Sequence, residues 1–328
     1  GCFSVFNADA INQVKLVKGG FPAEYGGRLS AVIDIRMNEG DMKKIHGEGS
    51  VGVISSKLML NGPIIKDKTS FMVSARRTYI DLLARPFISW ANKRNGDTGD
   101  EVKGGYYFYD VNAKLNHIVN KNNRIYFSAY LGNDRFYLNE KFEFENIVDG
   151  TERSFIEESN GELKWGNKIM ALRWNHKFGP KLFANTTLNY SEYQFATAFG
   201  SKVYEKATPK NPSENFSFEY ISGITDWGGN VNFYYYPAPK HEVRFGVGET
   251  YHTFRPGVNQ LQGGDSGVSI DTSYGSAKTY AHEFYGYVQD DFKLTRRLSA
   301  NLGVHFSNFY VREKLYNALQ PRASVNFK

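Results

Sequence analysis

A single cysteine, Cys2, stands in 328 residues, so no internal disulfide can hold this chain together. Cys2 also has no Cys or clustered His at metal-ligand spacing. No run reaches the roughly 20 apolar residues that a membrane-spanning helix needs. The nearest stretch, 79–91, is broken by Asp81, Arg85 and Pro86, which excludes a helical membrane protein. No HExxH, CxxC or GxSxG pattern occurs. The seven histidines, at 46, 117, 176, 241, 252, 282 and 305, are scattered and read as solvated or polar-face groups rather than metal ligands. Charge of either sign is not concentrated: 40 basic and 34 acidic residues give +6 without long blocks, a pattern of polar surface and not of nucleic-acid binding. The opening also lacks a basic, apolar-cored leader. Gly1-Cys2-Phe3 reads as interior sequence, so the chain is expected to be a fragment or a processed form. A lipid-modified Cys2 would need such a leader.

Aromatic residues and glycine are plentiful, with 25 Phe, 22 Tyr and 32 Gly against only 10 Pro. This mixture suits extended strands, tight turns and rings at a membrane interface. Alternation of apolar and polar residues is the dominant pattern. In 298–307, Leu298, Ala300, Leu302, Val304 and Phe306 share one face, and Ser299, Asn301, Gly303, His305 and Ser307 the other. In 182–191 the same alternation is broken only by Phe183 on the polar side. Such a wall needs apolar residues at every second position only, so a mean hydropathy of -0.49 does not argue against a membrane barrel.

The periodicity predicts twelve strands, at 43–55, 56–62, 69–79, 106–118, 124–138, 161–178, 182–198, 216–236, 241–254, 278–294, 298–312 and 321–327. Short connections at 65–68, 120–123, 179–181, 237–240 and 295–297 alternate with long polar ones at 81–105, 139–160, 200–215 and 255–277. Outer-membrane barrels have this asymmetry of short and long loops. A soluble sandwich shares the alternation, but its strands average about five to six residues. Trp174, Trp227, Phe233, Tyr235, Phe245 and Phe284 fall in the apolar register, where they suit an interfacial belt; Arg173, Asn175, Asn230, Asn232, Glu242 and Arg244 would then line the lumen.

The first forty residues differ. Residues 7–13 can form a helical turn capped by Asn7 or Asp9, followed by strands at 14–17 and 29–37. Between the strands, Gly19-Gly20 and Gly26-Gly27 bracket a compact turn. No P-loop lysine and serine follow, so this is a structural turn and not a phosphate cradle. Asp290 and Asp291 are adjacent in a strand and point to opposite faces, which disfavours joint acid-base work.

Val14-Lys15-Leu16-Val17-Lys18-Gly19-Gly20-Phe21-Pro22-Ala23-Glu24-Tyr25-Gly26-Gly27-Arg28-Leu29-Ser30-Ala31-Val32-Ile33-Asp34-Ile35 resembles the end of the plug domain of TonB-dependent outer-membrane transporters, although Ala31 stands where the family often has Gly. Leu60-Asn61-Gly62-Pro63-Ile64-Ile65-Lys66-Asp67-Lys68-Thr69-Ser70-Phe71 is similar to an early-barrel turn of members from Bacteroidota. The resemblance implies an all-β antiparallel transmembrane barrel, present in part as about 12 of about 22 strands. With it would come the C-terminal part of an α+β plug. The expected boundaries are 1–40 for the plug and 41–328 for the barrel wall. Gly19, Gly20, Tyr25, Gly26, Gly27 and Arg28 would form the plug turn that meets the wall, Arg28 being a candidate partner for a wall carboxylate. The implied activity is energised import of a siderophore, cobalamin, haem, a glycan or a peptide, without enzymatic chemistry or a cofactor. The implied partners are the TonB-ExbB-ExbD complex, outer-membrane lipid, the ligand and a surface lipoprotein; nucleic acid is not among them. A passive porin and a soluble β-rich binding protein remain the alternatives.

Overall fold

The computed structural model describes residues 10–27, 31–94, 100–207, 212–265 and 268–327. Two sheets make up almost all of it. The smaller pairs β1 (Ile11–Lys18) antiparallel with β2 (Ala31–Met37). The expected helical turn at 7–13 is corrected in its described part: residues 11–13 already belong to β1, because Ile11 and Gln13 find partners in Met37 and Arg36.

The larger sheet has 13 strands in meander order. They are β3 (His46–Val51), β4 (Ser55–Ile65), β5 (Thr69–Thr78), β6 (Glu101–Asn120), β7 (Asn123–Val148), β8 (Thr151–Lys177), β9 (Leu182–Glu205), β10 (Glu214–Tyr235), β11 (His241–Asp265), β12 (Val268–Gly275), β13 (Thr279–Lys293), β14 (Leu298–Val311) and β15 (Lys314–Phe327). The lower part of β11 pairs β13 and its upper part pairs β12. Every pairing is antiparallel between near neighbours in sequence, which needs only hairpin turns. Among the described residues, β3 and β15 each pair on one side only.

All five short turns lie where the periodicity places them. The long connections need correction. Residues 139–148 and 151–160 pair with each other as a ribbon continuing β7 and β8, and Phe144 stacks on Phe155 at 5.6 Å. Asp149 (φ 52°) and Gly150 (φ 74°) close that ribbon with the two positive φ angles of a type I′ turn. The connection 255–277 is likewise mostly strand, and 314–320 belongs to β15. In 81–105, α1 (Ile80–Arg94) replaces a loop; Asp81 in its first turn and Lys93 and Arg94 in its last complement the helix dipole.

Alternation divides the large sheet into two faces. On β14, Leu302 is 50% exposed and Val304 and Phe306 are exposed with it, whereas Asn301 and His305 are buried. The polar face is the one that meets residues 21–25 and 37–40, and we call it the inner face. Phe183, the exception in its polar register, stacks on Tyr234 at 4.7 Å, so the break is a ring pair across the β9–β10 rungs. On the outer face, Phe233 stacks on Phe245 at 4.9 Å near the short turns, and Tyr190 meets Trp227 at 4.7 Å farther up. Trp227 and Tyr235, both exposed, are eight residues apart on β10. That is ~27 Å along a strand, or ~20 Å of height at a tilt of ~40°.

Candidate functional site

The turn between β1 and β2 presses into the inner face. Gly19 (φ 59°) and Gly20 (φ 49°) end β1 in the left-handed region, which a side chain disfavours even though open space surrounds both. The chain then dives: Phe21 is buried beneath the Arg322 guanidinium, 5.9 Å from its ring centre, and Ala23 is 0% exposed. Pro22 accepts from the Tyr25 N–H at 3.0 Å, closing a tight turn.

Three wall side chains read this turn through its backbone and carboxylate. His305 on β14 donates from Nδ1 to the Ala23 carbonyl at 2.8 Å, which fixes its tautomer. Gln289 on β13, itself buried, accepts from the Glu24 N–H at 2.9 Å. Arg244 on β11 donates to Glu24 at 2.9 Å and, from Nε and Nη2, to Glu242 at 2.9 and 2.7 Å; Asp291 lies 3.6 Å away. Burial pushes the Glu24 carboxyl above its ordinary value, and Arg244 only partly offsets this. Burial, reinforced by the Glu24 charge, pushes the Tyr25 phenol up to about 12, while Lys15 lies over its ring at 5.9 Å.

The glycines fit by shape. A Cβ on Gly26 would lie 2.0 Å from His305 Nε2, and one on Gly303 would lie 2.7 Å from the Ala23 Cβ. Gly27 (φ 68°) turns the chain away beside Glu283. Gly19, Gly20, Tyr25, Gly26 and Gly27 therefore sit in or beside one docked turn. Arg28 lies outside the described residues; among those described, Glu24 joins the turn to the wall through Arg244.

A second anchor follows β2. Glu39 lies 3.1 Å from Arg124, 3.8 Å from Lys114 and 4.0 Å from Arg173, three cations gathered around the Tyr126 ring. Lys114 also donates to the Met37 carbonyl at 2.9 Å, and Ser70 to the Glu39 carbonyl at 2.8 Å. Gly40 (φ 78°) passes so close to the wall that a Cβ would meet the Phe71 carbonyl at 2.3 Å. Asp41 accepts from the Lys43 and Lys44 N–H groups and from His46, and these bonds hold its carboxyl below the usual range.

Glu24 and Arg244 could be singled out from sequence only as a motif member and a lumen residue. Gln289 and His305 carried no positional signal beyond their polar register, and Glu39 lies between strands, where it carried none.

The chemistry of this surface is adhesion. His252 bridges Asp226 (2.8 Å) and Glu283 (3.3 Å), but the nearby Ser191 hydroxyl donates to Asp226 and not to His252, so no activated nucleophile results. Asp290 bonds His241 while Asp291 faces Arg244, on opposite sides of β13. Among the described residues no group of three or more His, Cys, Asp and Glu has metal-binding geometry.

No family model matches the chain, and no curated protein matches it. Solved structures do. FpvA of P. aeruginosa, in a complex with a heterologous pyoverdine and iron, superposes with a TM-score of 0.59 at 11% identity; the match covers 98% of this chain and 45% of that one. The ferric yersiniabactin uptake receptor FyuA of Yersinia pestis matches at 10% identity over 96% of this chain and 63% of its own, but its TM-score of 0.33 carries no argument. The chain therefore shares the fold of about half of an FpvA-type receptor.

Proposed function

We propose that this chain is part of a TonB-dependent transporter that imports a scarce ligand across the bacterial outer membrane. In this reading residues 1–40 are the end of the plug and 41–328 the first half or so of the barrel wall. Gly19, Gly20, Tyr25, Gly26, Gly27 and Arg28 form the turn that seats the plug. The observation that carries the proposal is the buried turn at Ala23, held on the polar face of a strand wall by His305, Gln289 and Arg244. A passive pore has no need of an internal segment fastened by specific polar bonds, and a sandwich core would bury the apolar face instead. The motif resemblance and the FpvA-like fold point the same way.

The ligand is a siderophore, cobalamin, haem, a glycan or a peptide. FpvA, caught with a pyoverdine and iron, makes iron-siderophores the first class to test. TonB-ExbB-ExbD would supply the energy, outer-membrane lipid would surround the wall, and a surface lipoprotein is a further candidate partner.

The test uses the full-length protein as the sole uptake route in cells offered labelled iron-siderophores, cobalamin, haem and oligosaccharides. Accumulation of one class should require TonB and should stop when Ala23→Cys is oxidised onto Gly303→Cys, recovering on reduction; the two Cβ positions must part by about 1 Å to reach disulfide geometry. Uptake that ignores TonB and survives deletion of residues 1–40 would establish a passive pore instead.

A further inference from the structure

Helix α1 carries an apolar stripe that none of the described residues covers. Leu83, Phe87 and Trp90 recur at helical spacing on one side, and Phe87 and Trp90 are 76% and 61% exposed. The side packed on β6 is a different one. Asp81 is buried there, and Asn92 both donates to and accepts from the Val102 backbone, at 2.9 and 3.3 Å. The bare stripe is therefore not the seam that holds the helix in place.

Its position identifies what covers it. Odd-numbered residues of β6 point to the outer face, where Leu115 and Tyr109 are exposed, while Asp110, Asn112 and Asn116 are buried on the inner one. Gly105 continues the outer column, and a Cβ there would lie 2.7 Å from the Asp81 Cβ. Arg77 joins the same contact, 3.9 Å from Asp81 and over the Tyr107 ring. Helix α1 thus sits on the outer face at the upper end of its aromatic column. Two cations of the last turn complete the pattern: Arg94 lies over Trp90 at 5.3 Å, and Lys93 makes no ion pair with a carboxylate among the described residues.

We propose that α1 is an interfacial helix that beds Leu83, Phe87 and Trp90 in the lipid surface beside the wall, with Lys93 and Arg94 on anionic headgroups. An apolar stripe with Trp and Phe, flanked by Lys and Arg and continuous with an apolar wall, is the composition of a helix lying in a membrane interface. This inference rests on the membrane reading of the wall.

The test places one nitroxide label in the full-length protein carrying Cys2→Ser, in vesicles of phosphatidylethanolamine with a minor share of phosphatidylglycerol. Labels at Phe87→Cys, and at Leu83→Cys as a second position, should collide with oxygen more than with a water-soluble nickel chelate. A label at Ser89→Cys, on the opposite side of the helix, should do the reverse. Omitting phosphatidylglycerol should make the stripe labels shallower. A label at Val304→Cys reports the wall. Stripe labels that meet the chelate while Val304→Cys stays oxygen-accessible overturn the interfacial helix alone. Chelate access at Val304→Cys as well overturns the membrane reading beneath it. Dipolar broadening between stripe labels would mean that α1 pairs with a second copy, which also overturns the proposal.

Discussion

Gly26 has no room for a methyl group, because the buried His305 ring fills the space where one would point. Gly26→Ala should therefore loosen the turn by about 1–3 kcal/mol, the usual range for overpacking. Faster hydrogen exchange at the Tyr25 amide would report it, and His305→Ala should add less on top of Gly26→Ala than it costs alone. Arg244 stands among Glu24, Glu242 and Asp291, so Arg244→Ala leaves three carboxylates facing one another. The expected loss is about 3 kcal/mol or more, since one partner of a largely buried pair is removed. Protease cleavage within 21–27 would measure that loss. Glu24 adds a pH dependence of definite sign. Its carboxyl is raised above 4.5 in the docked turn, so docking binds a proton more tightly than release does. The turn should hold best below pH 4.5 and weaken as pH rises through the raised value. A label at Pro22→Cys should grow more mobile over that range, and Glu24→Gln should flatten the profile.

The strand walls were legible in sequence because a two-residue period survives any local detail. Their ends were not, and the reasons differ from one hairpin to the next. Asp149-Gly150 is a recognisable hairpin dipeptide, and weighing it would have converted the expected loop 139–160 into the ribbon that extends β7 and β8. Arg312 (φ 48°) and Glu313 (φ 62°) adopt the same conformation without Gly or Asn, so no residue type announced the start of β15. Helix α1 was hidden by Pro86, which lies inside it. The two faces make a sharper prediction. Val304→Lys places a charge on the outer face and should cost about 2–4 kcal/mol in a bilayer if it lies near the midplane. Ser307→Lys, on the inner face, should stay within about 0.5 kcal/mol. Denaturant titration of the two variants in vesicles separates them, and equal costs would mean that the outer face does not lie against lipid.

At the scale of the molecule, the glycine pairs marked where the first forty residues meet the wall, because tight turns and close approaches restrict residue type. The partners on the wall were not marked. Gln289 and His305 lie some 265 and 282 positions from their contacts, and a polar residue on an inner face looks the same in sequence whether it meets water or a backbone carbonyl.

The two anchors also determine how this part of the chain would respond to force. Ile11 begins β1 directly beside Met37, where β2 ends, and the Asn38 N–H bonds the Ala10 carbonyl at 2.8 Å. The Glu39 cluster fixes that same end to the wall. A pull on the chain ahead of Ile11 would load the pairing at the end nearest the anchor and open it like a zipper, from the Ala10–Asn38 bond toward Lys18. Each pairing would then bear the load alone, and the turn at Ala23 would feel the tension only after β1 had peeled away.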